Sequence, residues 1–330
     1  MEKYIMGIDN GGTITKAALY TLGGKEVGIA SKKTKMIMPK PYHTERDMYE
    51  LWEANLAVIR ELINHCSIDT SKIVGLAITG HGNGLYLSDK KGEPVYNGII
   101  STDNRAKKYI EEWYGDSNFE EKVLPKTMQS VWAGQPVALL RWLKDYQPSV
   151  IEEADYIFTV KDYVRFKLTG EAFLELTDVS GTNLLNVRDR CYDQQLLSFF
   201  GIDDLIDKLP PLKQSTDYCG AITKEIAEMT GLQEGTPVAG GIFDIAASAV
   251  ASGLVKENRL AIVAGTWSIN EYITKKPVID RELFMTSIYC LDDYWLTTEA
   301  SPTSASNLEW FIDHFMIEEK QQCALTGQSI

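Results

Sequence analysis

Apolar residues follow two rhythms along this chain, and the switches between them mark its elements. Tyr4-Ile5-Met6-Gly7-Ile8 is an extended apolar run, Asn10-Gly11-Gly12 is a tight-turn signal, and Thr13-Ile14-Thr15 resumes in β-branched residues. That pattern predicts strand, turn and strand, with a third strand after the turn at Gly23-Gly24. From Asp47 the rhythm becomes helical: Met48, Leu51, Trp52, Ala54, Leu56, Val58, Ile59, Leu62 and Ile63 sit broadly at helical spacing, with Asp47 or Thr44 able to cap. Ile73 to Ile78 is a continuous apolar run, the mark of a short buried strand, and helical patterns return near 103–114, 136–145 and 161–168. Strands interleaved with covering helices predict an α/β fold.

Late in the chain, Thr236 to Gly241 reads as a strand running into Ile242-Phe243-Asp244, where a helix over Ile245 to Ala251 is expected. A second hairpin follows: Leu260 to Ala264, a Gly265-Thr266 turn, then Ser268 to Ile273. It echoes the first hairpin, which suggests two related domains facing one cleft, with a boundary near residue 250. The expected division is therefore 1–250 and 251–330. A length of 330 residues accommodates two domains.

Composition narrows the partners. With 33 basic and 46 acidic residues the net charge is −13, which disfavours nucleic acid and anionic membranes while leaving room for a locally basic phosphate pocket. The N-terminus has no long apolar core of a signal peptide. Five widely spaced cysteines without a CxxC pair point to single thiols in a reducing compartment, and four histidines in no ligand-like spacing argue against a transition-metal site. These features together predict a cytoplasmic protein that handles small molecules.

Asp9-Asn10-Gly11-Gly12-Thr13-Ile14-Thr15-Lys16 is the richest segment for chemistry. Its glycines open backbone N–H groups to a polyphosphate, Thr13 and Thr15 add hydroxyls, Lys16 adds a positive charge, and Asp9 is suited to the hydration shell of Mg²⁺. The same residues also suit an ordinary Asn-Gly hairpin. Gly265-Thr266 could cradle a phosphate from the opposite side. Asp244 reads either as a helix N-cap or as a general base that accepts a proton from an attacking hydroxyl. In Gly80-His81-Gly82-Asn83-Gly84, the imidazole is either a ligand contact or solvent-facing. Asp103-Asn104-Arg105 offers a carboxylate and a guanidinium to sugar hydroxyls, or else the capped first turn of a helix.

Gly7 to Lys16, Gly240-Gly241-Ile242-Phe243-Asp244 and Ala264-Gly265-Thr266-Trp267-Ser268 resemble the phosphate-1, catalytic and phosphate-2 elements of the FGGY carbohydrate kinases. The similarity runs from residue 3 to about 315. Ser101 to Arg105, Gly134 to Lys144 and Glu299 to Phe311 resemble its bacterial L-xylulose kinase subgroup. The resemblance implies an actin/hexokinase-like (ribonuclease H-like) two-domain fold and ATP-dependent phosphorylation of a small sugar, such as the ketopentose L-xylulose, with ATP and Mg²⁺ as cofactors. It makes Asp244 the catalytic base and Asp9 the Mg²⁺-associated carboxylate, acting through water. Gly11, Gly12, Thr13, Thr15 and Lys16 become phosphate-1 contacts, Gly265 and Thr266 phosphate-2 contacts, and His81, Asp103 and Arg105 sugar contacts. A homodimer is compatible with it. Ser101-Thr102-Asp103-Asn104-Arg105 lacks the tryptophan of the family's WxDxR stretch, so one pocket wall is expected to differ. The family continues beyond the length seen here, and the polar segment from Glu318 to Ile330 no longer resembles it. The expectation is thus an incomplete second domain, with a sugar-binding, catalytically impaired remnant as the alternative to an active kinase.

Overall fold

The computed structural model describes residues 2–264, 268–301 and 304–328, with the side chain of Ser306 left aside. The chain opens on three antiparallel strands, β1 (Tyr4–Asn10), β2 (Ile14–Thr21) and β3 (Glu26–Lys33), as the sequence rhythm predicts. Helix α1 (Met48–Cys66) starts where expected, because the Asp47 side chain accepts from the backbone N–H groups of Tyr49 and Glu50. Its buried face, including Leu51, Leu56, Val58 and Leu62, packs on β2 and β3. Strand β4 (Ile73–Gly80) then adds parallel to β1 on the other side.

Helices α2 (Pro136–Tyr146), α3 (Val160–Thr169) and α4 (Leu176–Val179) precede the rest of the sheet. Strands β5 (Tyr218–Ala221), β6 (Pro237–Ala239) and β7 (Ile242–Phe243) complete it, in the order β5-β6-β4-β1-β2-β3, with β7 also paired to β4. Helix α5 (Asp244–Ala251) leaves directly from β7. The predicted helix near residue 103 begins later, at Lys107, with Ala106 as an N-cap that makes no side-chain bond.

A second sheet is antiparallel, ordered β8-β9-β11-β10 from Ala261–Ala264, Ser268–Thr274, Trp295–Ser301 and Met285–Ile288. It shares a small core with α5, built from Phe243, Ala246, Ala249, Ile273, Met285 and Leu296. Its edge strand β10 is tied to the earlier part of the chain: the Thr286 N–H donates to the Met128 carbonyl at 2.8 Å, and Trp132 stacks on Phe284 at 4.8 Å. Helix α6 (Ala305–Phe315) leaves Leu308, Trp310, Phe311 and Phe315 exposed. No helix among the described residues is long and apolar enough to cross a membrane.

One backbone position fixes how β7 meets β4. Gly241 has φ +86°, and an added Cβ would run into the Ile78 carbonyl. Gly241→Ala is therefore expected to destabilise the protein by about 2 kcal/mol or more, from left-handed strain plus overpacking. A urea midpoint equal to wild type would show that the junction can relax.

Candidate active site

Three parallel strands end together at one edge of the main sheet. Across it, Asp9 pairs with Thr79 and Thr79 with Ile242, while Asn10 pairs with Gly80 and Gly80 with Phe243. Asp9, His81 and Asp244 thus converge from segments far apart in sequence, at the carboxyl ends of strands where open α/β sheets bind ligands. The convergence needs small residues: a side chain at Gly82 would occupy the space of the Phe243 ring.

The first hairpin turns at Gly11 and Gly12 without left-handed glycine backbone. Gly11 N–H donates to the Ile14 carbonyl at 3.0 Å, and a Cβ at Gly12 would meet nothing within 4 Å, so open space lies beside the turn. Thr13 is exposed there. Lys16 Nζ sits 3.8 Å from Asp9 Oδ2, both partly exposed, because these residues face each other in the hairpin register. Burial raises the Asp9 pKa and Lys16 opposes the rise.

Thr15 corrects the sequence reading. Strand alternation turns it inward, fully buried, where its hydroxyl donates to Asn10 Oδ1 at 3.3 Å and is out of reach of a phosphate. The carbonyls of Gly11 and Gly12 are gripped from behind by Arg46 Nη2. Arg46 was not singled out from sequence; its neighbours Glu45 and Asp47 make it look like part of a solvated charge run.

On the facing side, His81 is not solvent-facing. Its Nε2 lies 2.9 Å from the Tyr86 hydroxyl and its Nδ1 3.3 Å from the Gly82 carbonyl, and burial, then the Arg46 charge, push its pKa down to about 3. A neutral ring fits these partners, with Nδ1–H donating to the carbonyl and Nε2 accepting from the tyrosine.

Asp103 and Arg105 do not form a helix cap. Arg105 Nε donates to Asp103 Oδ1 at 2.9 Å, and its Nη2 reaches Asp103 Oδ2 at 2.8 Å and Glu45 Oε1 at 2.7 Å. Asp103 Oδ2 also accepts from the Thr44 N–H at 2.6 Å. Both side chains are fully buried, so here they brace the loop carrying Thr44–Arg46. Only Arg105 Nη1 is left without a partner among the described residues.

Asp244 is the first residue of α5, one place beyond the N-cap, which is Phe243. Burial first, then the charges of Asp178 and Asp9, lift its pKa to about 8. Asp178 belongs to a buried ionic group that sequence reading missed. Lys161 Nζ is 2.8 Å from Asp162, 3.3 Å from Glu175 and 3.6 Å from Asp178, and Arg165 Nη1 is 2.6 Å from Asp162.

Two cations face three carboxylates in that group, so ionising Asp244 as well would leave the interior two charges short of balance. Burial accordingly holds Asp178 up at about 7, against the pull of Lys161. The group is fastened to the site: Thr177 Oγ1 donates to Glu175 Oε2 at 2.7 Å and accepts from the Phe243 N–H at 3.0 Å. A usable signal exists, since Lys161, Asp162 and Arg165 interrupt a helix otherwise patterned for burial. Glu271 in β9 is a further buried acid with no hydrogen-bond partner among the described residues, raised by burial to about 7. Gly265 and Thr266 lie outside the described residues.

The donor set suits a nucleotide phosphate with its magnesium better than a protein-held metal. The turn offers open space and a lysine, while no group of three or more His, Cys, Asp or Glu side chains among the described residues could hold a metal ion.

Parallel strands of the main sheet thus deliver a glycine hairpin and a half-buried aspartate to the same end of that sheet. The particular family follows from comparison: residues 4–251 match the N-terminal domain of the FGGY family of carbohydrate kinases, and the chain belongs to that family. It is 40% identical over 313 residues to the L-xylulose/3-keto-L-gulonate kinase of Escherichia coli, covering 94% of this chain and 62% of that protein. It is 37% identical over 318 residues to a probable L-xylulose kinase of Pasteurella multocida, covering 96% and 65%.

Among solved structures, a xylulose kinase from Rhodospirillum rubrum superposes with a TM-score of 0.90 at 24% identity, covering 98% of this chain and 66% of that one. A ligand-bound xylulose kinase from Lactobacillus acidophilus gives 0.87 at 26% identity, covering 94% and 62%. The α/β fold expected from sequence is therefore that of the FGGY sugar kinases. The chain spans slightly less than two thirds of the length of the curated relatives it matches.

Proposed function

We propose that this protein carries the sugar side of an ATP-dependent sugar kinase, acting on a small ketose such as L-xylulose. The supporting observation is Asp244, half-buried at the convergence of β1, β4 and β7 with its proton affinity lifted to about 8 by desolvation and neighbouring carboxylates. A carboxylate so placed takes the proton from the attacking sugar hydroxyl as its oxygen bonds to the γ-phosphorus and ADP leaves. The N–H groups of Gly12 and Thr13, with Lys16, orient the phosphates, and Gly265 and Thr266 do so from the second hairpin. When bound, Mg²⁺ neutralises phosphate charge, with Asp9 holding its water shell. Neutral His81 contacts the sugar, while Asp103 and Arg105 shape the wall behind it. In this reading residues 1–250 belong to the sugar-binding domain and 251–330 to the nucleotide domain.

The names of the relatives support a ketopentose, and that of the Escherichia coli enzyme adds an acidic sugar, 3-keto-L-gulonate. The test is ADP release from ATP, Mg²⁺ and L-xylulose, coupled to NADH oxidation. Sugar-dependent release is expected. Sugar binding by calorimetry without any release would favour the binding remnant instead.

A further inference from the structure

Lysines gather around the glycine turn of the first hairpin. Between Glu26 and Glu45 the chain carries Lys32, Lys33, Lys35 and Lys40 and no acidic residue, in a protein of net charge −13. Lys33 and Lys32 end β3 opposite Ile14 and Thr15, which open β2 just after the turn. One place further, the Thr34 N–H donates to the Thr13 carbonyl at 2.9 Å, so Lys33 and Lys35 flank the residue bonded to the turn itself. Residues directly opposite each other in a ladder share a face. Lys33 therefore lies on the face of Ile14 and Lys16, and Lys32 on the other, so positive charge brackets the turn from both sides.

These ammonium groups are uncommitted. Strand β3 is the edge of the sheet, and Lys32, Lys33 and Lys35 are exposed. Lys16 is set against Asp9, whereas none of the three has a carboxylate within 4.0 Å of its ammonium among the described residues. Glu50 accepts from the Lys35 backbone N–H at 3.4 Å and not from its side chain. An exposed cation contributes little to a static ion pair, yet its field speeds the arrival of an anion. A chain of net −13 otherwise repels an anionic nucleotide, and open space beside Gly12 is where its phosphates would arrive.

We propose that Lys32, Lys33 and Lys35 form a cationic collar that captures the polyphosphate of the incoming nucleotide and steers it onto the glycine turn. The proposal rests on the sugar-kinase reading and deepens it: the turn holds the phosphates, and the collar governs how fast they arrive.

The test is stopped-flow binding of a ribose-labelled fluorescent ATP, with Mg²⁺, to the full chain. Salt is set at about 0.1 M and about 1 M, where the Debye length is about 10 Å and about 3 Å. Wild-type association is expected to slow as salt rises, whereas repulsion by the net charge alone would make it faster. Replacing Lys32, Lys33 and Lys35 together by Gln should cut the low-salt association rate about 10-fold, leave dissociation nearly unchanged, and lose its effect in high salt.

Lys3, Lys25 and Lys72 serve as the control, since they sit at the far end of the sheet, where Tyr4 pairs with Thr21 and Ile73. The seven residues of β1 put that end about 20 Å away, beyond the Debye length. Their joint replacement by Gln removes the same charge and should change the rate far less. Equal losses in both triple variants, a loss carried by faster dissociation, or wild-type association that does not slow with salt each overturns the collar and spares the kinase reading. So does a collar variant with the wild-type rate and new self-association, since the lysines would then only guard an edge strand. The wild-type salt trend needs no variant, so a variant that fails to fold leaves it decisive. No nucleotide binding by wild type overturns both the collar and the nucleotide half of the kinase reading.

Discussion

Asp244→Asn is expected to cut phosphoryl transfer by about 10²–10⁴ while leaving thermal stability unchanged or higher, with sugar affinity retained. The amide preserves shape but takes no proton. Stability is spared because the native carboxyl holds a proton at neutral pH, lifted from 3.8 to about 8 by burial and by Asp178, Asp9 and Glu271. The sign follows from linkage. A folded-state pKa above the unfolded value means the unfolded chain releases a proton that the native state keeps, so this group's contribution is lost as pH rises from about 4 to 8. The Asn variant lacks that loss and should gain most, relative to wild type, above pH 8. In wild type, kcat/KM should rise with pH through about 8, as the base form becomes populated. Rate–pH profiles with melting curves at pH 6 and 9 check both halves. Turnover near wild type in the Asn protein would reduce Asp244 to a helix-start residue.

Lys161→Met should destabilise the protein by about 3–5 kcal/mol at neutral pH, the cost of leaving buried carboxylates without their cation. Asp162, Glu175 and Asp178 would be left with Arg165, which among the described residues pairs with Asp162 and not with the other two. Lys161 holds its proton more tightly than usual: burial opposes its charge, and the three carboxylates outweigh burial. The penalty should shrink in acid, where protonation removes the unpaired negative charges, and grow again above neutrality. Urea titrations at pH 5 and 8 measure this. A loss below about 1 kcal/mol at pH 8 would mean that the group is already largely protonated and the lysine dispensable.

Much of the local structure was legible because near neighbours decide it. Asn10-Gly11-Gly12 between β-branched runs can do little but turn, and Asp47 before an apolar helical stripe caps α1 as its side-chain chemistry requires. The Asp9 and Asp244 segments were recognisable for the same reason, since strand, glycine and carboxylate lie within a few residues of one another. The misreadings occurred where a distant partner outbid the local one. Thr15 carries a hydroxyl in a phosphate-like loop, yet strand alternation aims it at Asn10. Asp103 sits where a helix cap would, yet Arg105 and the Thr44 backbone claim it and the helix starts later.

The sequence by itself determined the α/β alternation, the first hairpin and the helix after Asp47. These are properties of short segments, set by side-chain period, turn chemistry and capping. Only the tertiary structure decided which ionisable groups are paired, because burial and charge balance depend on contacts between segments far apart in the chain. Lys161 looks like any surface lysine until α3 places it among three carboxylates in the interior. Arg46 reads as one more charge between Glu45 and Asp47 until the fold buries it behind Gly11 and Gly12, with no carboxylate paired to it among the described residues. Asp244 has an ordinary carboxyl in the sequence, and its proton affinity rises only when the fold takes it from water and brings Asp178 and Asp9 near it.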